Sequence, residues 1–100
     1  MSEPVFERSV TISNRKGLHA RASAKLAKLA ATLPTKVMVS HDGETADARS
    51  IMDLLCLGAS VGKTVHLSAT GAQAEAALDQ VESLIKDGFG ELGEDDAACK

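Results

Sequence analysis

Segments with the two-residue periodicity of strands alternate along this chain with segments that have the roughly 3.6-residue periodicity of helices. The strand-like segments occupy residues 5–12, 35–40, 45–48 and 63–69, and the helix-like segments occupy residues 19–33, 50–57 and 72–86. The order is therefore β-α-β-β-α-β-α. Because 100 residues support a single modest core, we predict one α+β domain, with three helices on one face of a four-stranded, mostly antiparallel sheet.

Turn and capping residues mark the ends of these segments. Pro34 closes the first helix, because the residue before a proline is disfavoured in the helical region. The Asp42-Gly43 pair is typical of a short hairpin, and Ser50 is a good N-cap for the second helix. Glycines and acidic residues dominate after Lys86, so we predict a domain at residues 1–86 and an acidic, disordered tail at residues 87–100.

Composition and charge exclude several classes of function. Two Phe and no Trp or Tyr leave no stacking platform for single-stranded nucleic acid. A formal net charge of −3 likewise disfavours nucleic-acid binding. No segment approaches the roughly 20 apolar residues of a membrane span, and the N-terminus lacks a signal-peptide pattern. We therefore expect a cytoplasmic monomer that inserts into no membrane and uses no metal or cofactor.

The remaining thiols and imidazoles are interpreted as structural. Cys56 and Cys99 could pair, but structural disulfides are rare in the cytosol. We predict that Cys56 is a small core side chain and that Cys99 is an exposed thiol. His41 and His66 stand at no metal-ligand spacing, so we assign neither of them to a functional site.

A polar turn over residues 13–18 delivers His19 to the start of the first helix. Helix starts leave backbone N–H groups without intrahelical partners and carry the positive end of the helix dipole, so an anion is stabilised there. Arg15, Lys16 and Arg21 place three cations nearby, and arginine can bind phosphate oxygens through two parallel hydrogen bonds. Neutral imidazole is a competent nucleophile near neutral pH. We therefore hypothesise that His19 carries a phosphoryl group.

Two motifs together are similar to a known family. They are Gly17-Leu18-His19-Ala20-Arg21 at the first helix and Arg49-Ser50-Ile51-Met52-Asp53-Leu54-Leu55-Cys56-Leu57-Gly58 at the second. In this order they resemble the HPr family of phosphocarrier proteins over roughly residues 5–86. The resemblance implies an open-faced β-sandwich and a role in phosphoryl relay in the bacterial phosphotransferase system.

The resemblance also implies partners and residue roles. Enzyme I, phosphorylated from phosphoenolpyruvate, would pass the group to His19, and His19 would pass it to a histidine on a IIA domain. Arg21 matches the arginine that contacts the phosphate. Ser50 matches a serine that HPr kinase/phosphorylase modifies in some bacteria, which hinders transfer at the histidine. The Ala-rich first helix and acidic tail resemble proteobacterial, nitrogen-related members.

Two residues depart from the pattern of the family. Ala22 stands where a proline is common, which should loosen the helix start slightly but leave one more N–H for an anion. Asp53 stands where glycine or a basic residue is common, so a phosphate on Ser50 would meet a carboxylate one helical turn away.

A surface that faces partners is predicted around the two helix starts. Several apolar residues of the second helix exceed what a short helix must bury, and exposed apolar patches mark interaction sites. The predicted surface consists of Arg15, Lys16, Ala20, Arg49, Ile51, Met52 and Leu55.

Three hypotheses follow for the function. The first is a stoichiometric phosphocarrier with a covalent phosphohistidine, which is not a turnover enzyme. The second is a regulatory binding adaptor controlled by phosphorylation of Ser50, with His19 incidental. The third is an anion-binding module without a covalent step. The sequence leaves open whether the acceptor serves sugar uptake or nitrogen regulation.

Overall fold

The computed structural model describes residues 5–90. Its strands and helices, in chain order, are β1 (Val5–Thr11), α1 (Ala20–Ala31), β2 (Val37–His41), β3 (Glu44–Asp47), α2 (Ile51–Leu57), β4 (Thr64–Thr70) and α3 (Ala74–Lys86). The strands form one sheet in the order β1-β4-β2-β3, and each neighbouring pair is antiparallel. The predicted α+β class and element order are therefore confirmed.

One face of the sheet supplies the core. Alternate residues of β2 and β4 point inward, and Val37, Val39, Val65 and Leu67 are at most 1% exposed, because successive side chains of a strand point to opposite faces. The helices close over this face, where their apolar stripes join the same cluster of buried side chains. The opposite face of the sheet carries polar side chains such as Ser9, whose hydroxyl lies 2.9 Å from Nδ1 of His66.

The first helix is shorter than the periodicity predicts. It ends at Ala31 rather than at residue 33. The N–H groups of Thr32 and Leu33 donate to the carbonyls three residues earlier, at 2.9 and 3.1 Å, so the chain tightens into a turn before Pro34. Such three-residue hydrogen bonds are common at the ends of helices, and the restriction that proline imposes on the residue before it accounts for the stop.

The packed part of the chain extends past Lys86, where the sequence interpretation ended the domain. Phe89 in the 3-10 turn Gly88–Gly90 is fully buried and joins the core. Its backbone has φ of 56°, a conformation that costs a residue with a side chain about 1–2 kcal/mol. Burial of the ring contributes about 1.5–3 kcal/mol and offsets this cost. The predicted disorder of residues 91–100 lies outside the described residues.

Cys56 is exposed on α2, so the prediction that it is a core side chain is wrong. The helix buries Leu54 and Leu57 instead, and a residue two positions after the first and one before the second faces away from the core. Cys99 lies outside the described residues.

Candidate functional site

The loop before α1 fixes the backbone of His19 on both sides. The N–H of His19 donates to the carbonyl of Gly17 at 2.9 Å, and its carbonyl accepts the first helical hydrogen bond from Ser23 at 2.8 Å. Leu18 is held as well: its N–H donates to the carbonyl of Ala59 at 3.0 Å, and its carbonyl accepts from the hydroxyl of Ser23 at 3.2 Å. His19 is therefore presented by a backbone with little freedom to move.

The imidazole of His19 caps α1. His19 is the N-cap residue, with φ of −80° and ψ of −177°, and its Nδ1 accepts a hydrogen bond from the backbone N–H of Arg21 at 3.3 Å. Because Nδ1 accepts this bond, a neutral ring carries its proton on Nε2. The lone pair of Nδ1 therefore points toward the first amides of the helix, and His19 as a whole is half-buried.

Two residues that the sequence interpretation did not single out shape this loop. Asn14 is fully buried. Its side-chain Nδ2 donates to the carbonyl of Gly17 at 2.9 Å, and its backbone carbonyl accepts from the N–H of Gly17 at 3.1 Å. Ala59, just after α2, receives the N–H of Leu18. Asparagine is a common turn residue, which is a local signal, whereas nothing in the local sequence marks Ala59.

Gly17 is required by close packing as well as by its backbone angle. Its φ is +61°, and a Cβ added there would lie 2.4 Å from the carbonyl oxygen of Ala59 and 2.8 Å from Cα of Ser60. Both are backbone atoms, so relief requires movement of the segment that holds Leu18. The glycine of the motif thus serves to seat the histidine loop against the end of α2.

We expect Gly17→Ala to destabilise the fold more than Gly58→Ala. Gly58 has nearly the same φ, +63°, but a Cβ there has no atom within 4 Å, so the control isolates the steric effect. Gly58→Ala should cost about 1–2 kcal/mol for the left-handed conformation alone, and Gly17→Ala about 1–3 kcal/mol more for the clash. Urea denaturation of both variants measures the difference, and equal losses would contradict the described packing.

The cations predicted near His19 are at the surface. Arg15, Lys16 and Arg21 are exposed, as is Ala20 in the first turn of α1. That first turn contains no acidic residue, so no carboxylate of the turn offsets the positive end of the helix dipole. The arrangement favours an anion beside Nδ1 of His19.

Ser50 caps α2 as predicted. Its hydroxyl accepts the backbone N–H of Asp53 at 3.2 Å. The preceding Arg49 is anchored to Asp47, whose Oδ1 accepts the backbone N–H of Arg49 at 2.9 Å and lies 3.5 Å from its Nε. The hydrogen bond from the Arg49 backbone N–H is the largest of the effects that lower the pKa of Asp47.

Helix α2 exposes apolar side chains beside Ser50. Ile51 and Met52 are 41% and 69% exposed, and Leu55 is half-buried one turn later. Val61, which the sequence interpretation missed, adds an exposed apolar side chain in the loop after α2. Since α2 has seven residues, Ser50 lies about 10 Å along the helix from the end that contacts the loop of His19. The structure thus exposes Ile51 and Met52, two residues of the predicted partner surface, next to the cap at Ser50.

Two kinds of site are missing from the described part of the chain. Within residues 5–90, no group of three or more His, Cys, Asp or Glu side chains is placed to hold a metal ion. In the same range no helix has the length and apolar character needed to cross a bilayer.

Comparisons with known proteins agree with this geometry. Residues 6–87 match a family model described as the PTS HPr component phosphorylation site. The phosphocarrier protein HPr of Cupriavidus necator is 44% identical over 87% of this chain and 98% of its own length. The phosphocarrier protein NPr of Shewanella violacea is 42% identical over 86% of this chain and 94% of its own.

A solved structure supports the same assignment. HPr-C-His from Thermoanaerobacter tengcongensis superimposes with a TM-score of 0.80 at 37% identity, and the match covers 86% of this chain and 97% of that one. Fold, motif order and relatives point the same way. The chain belongs to the HPr family, the phosphocarrier proteins of the bacterial phosphotransferase system.

Proposed function

We propose that this chain accepts a phosphoryl group from Enzyme I on His19 and passes it to a IIA domain. The observation that carries the proposal is the orientation of the imidazole, whose Nδ1 accepts the N–H of Arg21 at the start of α1. A nucleophilic lone pair thus lies where a phosphate is stabilised by helix amides and by nearby arginine. Membership of a phosphocarrier family supports the same role.

The transfer needs little from the protein beyond position and charge. Nδ1 attacks the phosphorus, a bond between nitrogen and phosphorus forms, and the bond to the donor breaks with its electron pair remaining on the donor. The N–H of Arg21, released from Nδ1, can then donate to a phosphoryl oxygen. Arg21 supplies a cationic side chain from the first turn. The proposed transfer uses no metal ion bound by this chain.

Ala22 is compatible with this scheme. It is fully buried against the core, so the first turn is fixed by packing even without the proline that is common at this position in the family. An alanine also retains a backbone N–H in the turn where helix amides lack intrahelical partners. Transfer is therefore expected to proceed with alanine at this position.

Incubation with Enzyme I and labelled phosphoenolpyruvate tests the relay. We expect one phosphate per chain that is labile in acid and stable in alkali, as for a phosphohistidine, and that moves to a IIA domain on addition of the acceptor. Absence of label would overturn the proposal, and an acid-stable label would favour the adaptor hypothesis. Trials with acceptors of sugar uptake and of nitrogen regulation would identify the branch, since the relatives include both HPr and NPr proteins.

A second proposal concerns Ser50 as a regulatory phosphorylation site for a serine kinase such as HPr kinase/phosphorylase. The hydroxyl caps α2 beside the exposed Ile51 and Met52, so a phosphate there would change the charge of the predicted partner surface. Such a change of charge would hinder docking of Enzyme I and of the IIA domain. We propose that the protein is a cytoplasmic monomer when this modification takes place.

Phosphorylation of Ser50 should stabilise Asp53→Asn more than the unmodified sequence. The phosphate gains from the helix dipole but is repelled by the carboxylate of Asp53, whose N–H the Ser50 hydroxyl accepts. We expect a difference of about 0.3–1 kcal/mol in the stabilisation at pH 7, the usual size of a charge effect at a helix end. Thermal unfolding of both proteins with and without the phosphate measures it.

Glu75→Gln is the matched control, because it removes an equal charge from the first turn of a different helix, α3. The control should leave the effect of the phosphate unchanged. Equal stabilisation of all three proteins by the phosphate would contradict the argument.

A further inference from the structure

Two polar side chains are buried within residues 5–90. They belong to Asn14 and Ser23, and both residues are 0% exposed. Burying a polar group costs free energy unless a hydrogen bond compensates for the lost contact with water. An apolar side chain of similar size would fill the same space without this cost. The packing of the core therefore does not by itself account for an asparagine and a serine at these positions.

Both side chains donate to the loop that leads into His19. The Nδ2 of Asn14 donates to the carbonyl of Gly17 at 2.9 Å, and the hydroxyl of Ser23 donates to the carbonyl of Leu18 at 3.2 Å. One donor precedes the loop in the chain and the other follows it, near the start of α1. The two carbonyls that precede His19 are thus each held by one buried side chain.

These contacts fix the peptide unit between Leu18 and His19. A peptide unit is planar, so its orientation is set once its carbonyl and its N–H are both held. The hydroxyl of Ser23 holds the carbonyl. The N–H donates at 2.9 Å to the carbonyl of Gly17, which Asn14 holds in turn. The two buried side chains therefore act on the same peptide unit from its two ends.

Ser23 also holds the peptide unit that follows His19. The backbone N–H of Ser23 donates to the carbonyl of His19 at 2.8 Å. With the peptide units on both sides of His19 in place, its Cα–Cβ bond has one direction. That direction brings the imidazole to the start of α1, where Nδ1 accepts the N–H of Arg21 at 3.3 Å.

We propose that Asn14 and Ser23 are positioning residues for phosphoryl transfer, because they keep the Nδ1 lone pair of His19 at the helix start. Both side chains are buried, so they act through the backbone of the loop and not on the phosphoryl group itself. Transfer depends mainly on position and charge, so an imidazole that turns away from the helix start is unreactive. The orientation of the ring is independent of the proposed function, whereas the effect on transfer rests on it.

NMR of the imidazole nitrogens in the full chain tests the orientation of the ring. In the unmodified protein the neutral ring of His19 should carry its proton on Nε2, because Nδ1 accepts the N–H of Arg21. Ser23→Ala and Asn14→Ala should each move both nitrogen shifts toward those of an exposed histidine peptide.

The variants are chosen so that a failure to fold does not remove the test. Asn14→Asp keeps the shape of the side chain but lacks the donor, and it is measured beside Asn14→Ala in case one of them unfolds. Ser23→Ala removes a single oxygen atom from a helical position that suits alanine, so it remains folded and decides the outcome if both variants of Asn14 unfold. Val81→Ala truncates a fully buried side chain of α3 and is the matched control for a general loss of stability.

The rate of phosphate acceptance from Enzyme I tests the effect on transfer. Ser23→Ala and Asn14→Ala should each lower kcat about 3- to 10-fold, as expected if the ring is correctly oriented for about 10–30% of the time. KM should stay within about 2-fold, because the exposed side chains of α2 that are predicted to contact Enzyme I are unchanged. Val81→Ala should alter neither kcat nor the nitrogen shifts.

Two results would overturn the positioning role. They are nitrogen shifts that remain unchanged in the folded variants, and shifts that change equally in Val81→Ala. Changed shifts with an unchanged kcat, or an increase in KM alone, would overturn the effect on transfer. If the unmodified chain accepts no phosphate, the proposed relay is wrong, and shifts that change in Ser23→Ala but not in Val81→Ala would still support the orientation of the ring.

Discussion

Under the proposed relay, His19→Ala is expected to abolish the acid-labile label that the chain acquires in the presence of Enzyme I and phosphoenolpyruvate. The substitution removes the Nδ1 that faces the first amides of α1, and no other histidine of residues 5–90 caps a helix. Loss of the cap should cost only about 1 kcal/mol of stability, so the variant should remain folded. Labelling with phosphoenolpyruvate, together with circular dichroism of the variant, separates lost chemistry from lost structure.

Two further variants make this result specific. His19→Asn retains a side chain suited to an N-cap position, so it should restore stability without restoring the label. His66→Ala removes an exposed histidine on the open face of the sheet and should be labelled as efficiently as the unmodified chain. Label on His19→Asn, or its loss in His66→Ala, would contradict the assignment.

Phe89→Ala is expected to cause the largest loss of stability among the substitutions considered. Phe89 is the bulkiest of the fully buried side chains in the described range, and the turn that carries it contacts both α1 and α3. Replacement of a buried phenylalanine by alanine costs about 3–5 kcal/mol. Since each kcal/mol shifts the Tm of a domain of this size by about 4–8 °C, a decrease of more than about 12 °C should be seen by thermal unfolding.

Phe6→Ala is the control for this prediction. Phe6 is the other phenylalanine of the chain and is only half-buried on β1, so its truncation should cost clearly less. If the domain ended at residue 86, as the periodicity indicated, Phe89→Ala would leave the Tm unchanged. That result would refute the described packing of the segment after α3.

Local patterns were sufficient for the elements and for the motif of the site. Strand alternation alone indicates that Val37 and Val39 share one face of their strand and that Val65 and Leu67 share one face of theirs, because neighbouring residues of a strand must point to opposite sides. Ser50 was predicted as an N-cap because its hydroxyl can satisfy an amide of the first turn, and the structure confirms this contact. Element order and the two motifs together also predicted the family, which the comparisons confirm.

Contacts between distant parts of the chain could not be predicted from local sequence patterns. The strand order β1-β4-β2-β3 and the hydrogen bond that ties Leu18 to Ala59 both join residues far apart in sequence. Cys56 was misplaced because a short helix has too few residues to reveal which side faces the core. The burial of Phe89 was missed because flanking glycines and acidic residues resemble a solvated tail.

The sequence by itself therefore determined the fold class, the cap at Ser50 and the place of His19 at the start of the first helix, because periodicity and capping act over a few neighbouring residues. Only the tertiary structure decided how the histidine loop is seated on the end of α2 and that Phe89 packs into the core. Both depend on the free energy of packing surfaces from separate elements, which becomes defined once the sheet and helices have assembled.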